Sequence, residues 1–138
     1  MSQGPTVTVR QVGPSTGRGE VRGHTILVDR PEANGGMDQG PMGGELILVG
    51  LGGCFMSNLL AAIRERNAPV TGVEVRVSAV PDGTPVRLTD FAINVSAQSD
   101  DPAQLDKLAT IAARGCIAVR TLSQGSPVAV RVGSAGSA

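Results

Sequence analysis

The chain has 138 residues, twelve Lys and Arg balanced by twelve Asp and Glu, and only two aromatic side chains, both Phe. That length suits a single domain over residues 1–138, and zero net charge without a basic stripe or a stacking set of aromatics argues against nucleic-acid binding. Two cysteines are too few for a disulfide-stapled secreted scaffold. The opening Met-Ser-Gln-Gly-Pro-Thr-Val lacks the basic and apolar regions of an export signal, so a cytoplasmic location is expected. A core built from Val, Leu, Ile, Ala and Met buries little area per side chain, which favours an oligomer over a monomer.

Thr6 to Gln11 alternates as a short strand, and Gly-Pro-Ser-Thr-Gly breaks it. Gly19 to Arg22 and His24 to Asp29 are candidate strands around a tight bend at Gly23. Pro31 to Gly44, rich in Gly, Pro, Asn and Asp, reads as a loop long enough to be functional. Glu45 to Glu65 is the central helix, apolar almost all around and therefore expected to be covered on every side. Gly50, Gly52 and Gly53 each cost about 1 kcal/mol of helix propensity, and close approach of a neighbouring backbone is the natural offset. Leu46 to Ile63 is uncharged over a length at the lower edge of a membrane span. Its glycines, Ser57 and Asn58, and the soluble-looking strands around it, point instead to a buried helix and no membrane partner.

Val73, Val75, Val77 and Ala79 alternate with Glu74, Arg76 and Ser78, a half-buried strand. Pro81 to Pro85 turns the chain, and Val86 to Ala97 returns with Phe91, Ile93, Val95 and Ala97 on one face. Asp101-Pro102 provides an N-cap and a first-turn proline for a helix carrying Leu105, Leu108, Ala109, Ile111 and Ala112. Gly115 is its expected stop. Cys116 to Leu122 reads as a short helix or turn, Val128 to Val132 as a last strand and Gly133 to Ala138 as a frayed tail. This order gives an α+β fold in which a mainly antiparallel sheet covers a helix.

Cys54 and Cys116 are 62 positions apart, which excludes a CxxC redox loop and fits a pair that the fold brings together. A buried helical cysteine is often only a small hydrophobe; a reactive one needs a cation, a helix N-terminus or a metal. Cys54 lies mid-helix, so its own helix dipole contributes little. The candidate cations are Arg18, Arg22 and Arg30, each of which also reads as a solvated surface residue. Glu45 either complements the helix dipole in the first turn or acts in a site. It precedes Cys54 by nine residues, roughly 13 Å of helical rise. Two Cys and His24 do not make a structural zinc site, so no metal is expected, and no nucleophile elbow surrounds a serine.

Three segments together are similar to one known family: Gly23-His24-Thr-Ile-Leu-Val-Asp29-Arg30-Pro31, Gly35-Gly36-Met-Asp38-Gln-Gly40-Pro41, and Glu45-Leu46 running to Gly52-Gly53-Cys54. With Cys116 ahead of a final strand, the chain resembles the OsmC/Ohr proteins, the osmotically inducible and organic hydroperoxide resistance family, over residues 5–132. The resemblance implies an α+β homodimer with swapped elements and two long central helices packed together, its active sites at the interface. It also implies a thiol peroxidase of the oxidative stress response. Cys54 would be the peroxidatic cysteine and Cys116 the resolving one, with no bound cofactor and an external dithiol, such as a lipoyl group, as reductant.

An arginine held by a glutamate would stabilise the thiolate; Arg18 in Thr-Gly-Arg-Gly sits closest to the family's position, with Arg30 in Asp-Arg-Pro as the runner-up. The best-characterised members place the glutamate ten residues before the cysteine, where this chain has Gly44. Glu45 follows one place later, as in a less-characterised branch. Leu51, Phe55 and Met56 are the expected aliphatic pocket, favouring organic hydroperoxides over hydrogen peroxide. The competing reading is a non-catalytic small-molecule-binding or redox-sensing protein of the same fold.

Overall fold

A computed structural model describes residues 4–133. It is a mixed α+β chain with two small sheets and three α-helices among the described residues. Contacts divide it into two compact units, one of residues up to 52 with 76–94, the other of residues 53–75 with those from 95 onward.

In the first unit, β1 (Thr8–Gln11), β2 (Gly17–Val21) and β3 (His24–Val28) form an antiparallel sheet in that order. The β2–β3 hairpin closes through Arg22 and Gly23 at φ 49° and 83°. Those positive angles are what a two-residue hairpin loop demands, hence the glycine. The segment from Arg30 to Met42 is folded tightly back on β3. Asp29 N donates to the Pro41 carbonyl at 3.0 Å and Asp38 N to the Arg30 carbonyl at 2.9 Å.

Gly36 and Gly40 are required by these contacts, because a Cβ would collide with the Arg30 and Leu27 carbonyls respectively. Asp29 is the knot of the loop. Its buried carboxylate accepts from Thr16 Oγ1 at 2.7 Å, from Arg30 N at 2.7 Å and from Gln39 N at 3.2 Å. The Thr16 hydroxyl above all, with smaller contributions from Ser15 and those amides, holds Asp29 well below the usual carboxylate range despite the opposing effect of burial. The Gly-Gly-Met-Asp-Gln-Gly run therefore has a structural cause.

Helix α1 (Gly43–Glu65) crosses both units as one continuous element. Its start is capped by Glu45, whose Oε1 accepts from Met42 N at 2.9 Å, half of a capping box. At the other end Arg66 reaches the Ala62 carbonyl. Leu51, Phe55, Leu59 and Ala62 form its buried stripe at helical spacing. The sequence predicts cover all round, but Ile47, Val49 and Leu60 are 44–63 % exposed. Nor does any neighbour lie within 4 Å of where a Cβ would stand on Gly50 or Gly53. Among the described residues, the close approach expected at these glycines is not made at Gly50 or Gly53. The helix is also long and apolar enough to cross a membrane by length and composition.

Strands β4 (Thr71–Asp82) and β5 (Arg87–Gln98) form a two-stranded ribbon. Val73, Val75, Val77 and Ala79 on one strand and Phe91, Ile93, Val95 and Ala97 on the other are half-buried, as the alternation predicts, and Leu88 and Thr89 at the start of β5 join them. In the second unit, α2 (Pro102–Arg114) begins at Asp101, whose side chain accepts from the Ala103 and Gln104 amides. It buries Leu108 and Ala112. Gly115 ends it, with φ −94° rather than the left-handed conformation of a glycine stop. Cys116 is then the N-cap residue of α3 (Ile117–Gln124).

The final strand expected over Val128–Val132 is not formed. The segment carries no strand assignment, and Val128, Val130 and Val132 are 87–99 % exposed. The alternating valines have the strand pattern but no sheet edge of their own chain beside them. Of the frayed tail expected over 133–138, residues 134–138 lie outside the described residues.

Candidate active site

The second unit brings together the two cysteines that the sequence separates. Cys54, in the middle of α1, is half-buried; Cys116, between α2 and α3, is fully buried; both are free thiols. They are hydrogen-bonding neighbours with opposite tendencies. The backbone amide of Ala118 lowers the Cys54 thiol below its ordinary range against the cost of burial, helped by the Cys116 thiol and the Ile117 amide. Burial pushes the Cys116 thiol up against the lowering effect of the Val119 and Ala118 amides, and the hydrogen bond and charge interaction with Cys54 add to the rise. For a coupled pair the proton belongs to both, and the two opposite shifts make Cys54 the more acidic thiol and Cys116 the less acidic one.

The cause is a helix N-terminus, but not that of the helix bearing Cys54. Ile117 and Ala118 are the first two residues of α3, and the amides of a first helical turn have no intrahelical acceptor. Cys54 presents its sulfur to those orphan donors at the positive end of the α3 dipole. The mid-helix position made the dipole look irrelevant, because only the dipole of α1 is visible from local sequence. The Cys116 N-cap is the signal that was available: a chain that starts a new helix at the second cysteine aims free amides at whatever faces it.

The other predicted residues are placed differently. Arg18 lies on β2, where its Nε and Nη2 both meet Glu20 Oε1 at 3.2 Å. Arg10 reaches the other oxygen of Glu20 at 3.9 Å. Arg22 forms the β2–β3 turn, and the Arg30 carbonyl receives the loop. Glu45 is committed to the cap of α1 rather than to an arginine. Leu51 and Phe55, expected in a substrate pocket, are 3 % exposed and belong to the packed stripe of α1, while Met56 is half-buried. No cluster of three or more metal-ligating side chains occurs among the described residues.

The family profile described as OsmC-like protein matches residues 36–131, which include both cysteines. The chain belongs to the OsmC-like family. No curated protein matches it in sequence. Solved structures that are similar to it include the OsmC-like protein of Mycoplasma pneumoniae, at 16 % identity and a TM-score of 0.76 over 89 % of both chains. An organic hydroperoxide resistance protein of Elizabethkingia anophelis gives 19 % identity and 0.63 over 87 % of this chain and 89 % of that one. The organic hydroperoxide resistance protein OsmC of Legionella pneumophila gives 17 % and 0.58 over 83 % and 87 %. At such identities the shared property is the OsmC-like fold.

Proposed function

We propose that this OsmC-like protein is a thiol-dependent hydroperoxide reductase acting on organic hydroperoxides. The observation that carries the reading is the asymmetric cysteine pair, a half-buried Cys54 with its thiol lowered by the α3 amides beside a buried Cys116 whose thiol is pushed up. The Cys54 thiolate attacks the terminal oxygen of the peroxide. The O–O bond breaks, an S–O bond forms, and the leaving alkoxide departs as the alcohol after taking a proton. The Cys116 sulfur then attacks the Cys54 sulfenic acid; the S–S bond forms and the hydroxyl leaves with the Cys116 proton as water. An external dithiol, a lipoyl group or one of similar chemistry, returns both thiols and is itself oxidised to a disulfide.

We place the working form as a homodimer in the cytoplasm. The exposed apolar side chains of α1 at Ile47, Val49 and Leu60, the open faces of Gly50 and Gly53, and the unpaired valines at 128, 130 and 132 all favour cover by a second copy with exchanged elements. A second copy explains all three; a membrane accounts only for the helix. In this reading Arg18, pre-set by Glu20, is the cation offered to the peroxide or the thiolate. Glu45 is not needed beyond its cap.

The alternative, a redox-sensing or small-molecule-binding protein without turnover, is favoured by one observation: Glu45 holds Met42 and no arginine. The deciding experiment mixes anaerobically reduced protein with tert-butyl hydroperoxide and a dithiol, following peroxide and free thiols. Many turnovers, abolished by Cys54→Ser and faster than with hydrogen peroxide, support the organic hydroperoxide reductase. A single slow equivalent, unaffected by Cys116→Ser, sinks it and leaves the sensor or binder.

A further inference from the structure

Helix α1 carries two polar side chains, Ser57 and Asn58, within an otherwise uncharged, largely apolar run. Asn58 follows Cys54 by four residues, one turn along the same face. Its Nδ2 donates to the Ala112 carbonyl in the last turn of α2 at 3.4 Å. The backbone does not use that oxygen as an acceptor at the helix end. Gly115 N goes to the Ile111 and Ala113 carbonyls, and Cys116 N also goes to Ala113. Ala112 is thus one of the orphan carbonyls of a helix C-terminus, and α1 caps it from outside. A second contact agrees: a Cβ on Gly115 would lie 3.9 Å from the same Nδ2, so the amide rests over the residue that precedes Cys116.

Helix α1 therefore grips the junction between α2 and α3 at two points one turn apart. Asn58 holds the end of α2, and Cys54 faces the opening amides of α3. Cys116 stands between the two grips. We infer that Asn58 is a positioning residue for the resolving step, keeping the Cys116 sulfur in reach of an oxidised Cys54. The inference rests on the two-cysteine reading proposed above. When the disulfide forms, the Cys54 sulfur exchanges the α3 amides for Cys116, and this grip changes. Asn58 touches neither sulfur and stays in place, so the end of α2 does not drift as the bond is made. Its contribution is to effective concentration, not to the reactivity of Cys54.

The test separates the two chemical steps. Reduced wild type and Asn58→Leu, which fills similar space without a donor, are mixed with tert-butyl hydroperoxide. Loss of the Cys54 thiolate and appearance of the disulfide are timed separately, and dimedone traps any sulfenic acid. The expected result is an unchanged first step, a disulfide step slower by about three- to tenfold, the worth of one hydrogen bond, and more trapped sulfenic acid. Equal disulfide rates in the two proteins overturn the inference, as does equal slowing of both steps, which would mean general loosening of α1.

Asn58→Ser, whose side chain is too short to reach Ala112, repeats the test should Asn58→Leu fold poorly. A parallel arm drives the disulfide with diamide. If the wild type ignores the peroxide, the peroxidase reading fails, while the diamide arm still shows whether Asn58 sets the rate at which the two cysteines join.

Discussion

Replacing Ile117 by proline removes one of the two α3 amides that lower the Cys54 thiol. The side chain is 75 % exposed, so its loss empties no core. Cys116 ahead of it has φ −81° and ψ 115°, the extended conformation that a residue before proline adopts. Proline is also well suited to the first position of a helix, where its missing N–H breaks no intrahelical bond. The remaining change is the removal of one amide that lowers the Cys54 thiol.

A hydrogen bond to a charged group contributes about 1.5–3 kcal/mol, and Ile117 is the smallest of the lowering contributions, so about 1.5 kcal/mol is the appropriate end. At about 1.4 kcal/mol per tenfold, the thiolate population on the acid limb falls about tenfold. Thiolates gain nucleophilicity as they become more basic, with a slope of about 0.4–0.5, which returns about threefold. Alkylation by iodoacetamide in a Cys116→Ser background should therefore be about three- to fourfold slower on the acid limb and about threefold faster at high pH. The two pH–rate curves cross. Thermal stability should hold or rise slightly, since proline restricts the unfolded chain. Superimposable profiles would refute the part assigned to the Ile117 amide, leaving Ala118 as the one α3 donor. Uniform slowing at every pH would show that access had changed instead.

Three further outcomes follow from the fold. Leu59 is fully buried, so Leu59→Ala should lower the unfolding free energy by about 2–5 kcal/mol in denaturant titration, with an unchanged slope. Asp29 is held below the usual carboxylate range by Thr16 and two amides. Its stabilisation is therefore complete above the unfolded value of about 3.9 and is lost as pH falls toward the folded value. Asp29→Asn should be less stable than wild type at pH 7 and show a smaller further loss on acidification, read by denaturant midpoints at pH 7 and pH 3. Val49→Glu puts a charge on the exposed flank of α1. Sedimentation should show a dimer dissociating at concentrations where wild type stays paired, and an unchanged dissociation constant would remove that flank from the interface.

The elements were written locally. Period-two alternation marked β4 and β5, Asp101-Pro102 marked the start of α2, and the apolar run marked α1, because each depends on a few neighbouring side chains. The candidate nucleophile was legible too, since two cysteines in a chain with one histidine leave few alternatives. Other features were not legible because they arise between segments far apart in the chain. The amides of Ile117 and Ala118 face Cys54 only after α3 is laid beside α1, and Asn58 caps α2 from 54 residues away.

The same distinction explains the misses. The Val128–Val132 alternation encodes a readiness to pair, but pairing needs an edge, and a strand pattern carries no information about whose edge it is. Apolar residues all around α1 state that cover is needed, yet one chain buries only the Leu51–Phe55–Leu59–Ala62 stripe. Sequence determined most of the secondary structure, the family and the candidate sulfur, because local sterics and side-chain chemistry are enough for those. Tertiary structure alone decided which thiol is the more acidic and which side chain caps the helix before the other, since both depend on dipoles and hydrogen bonds that exist only once distant helices meet.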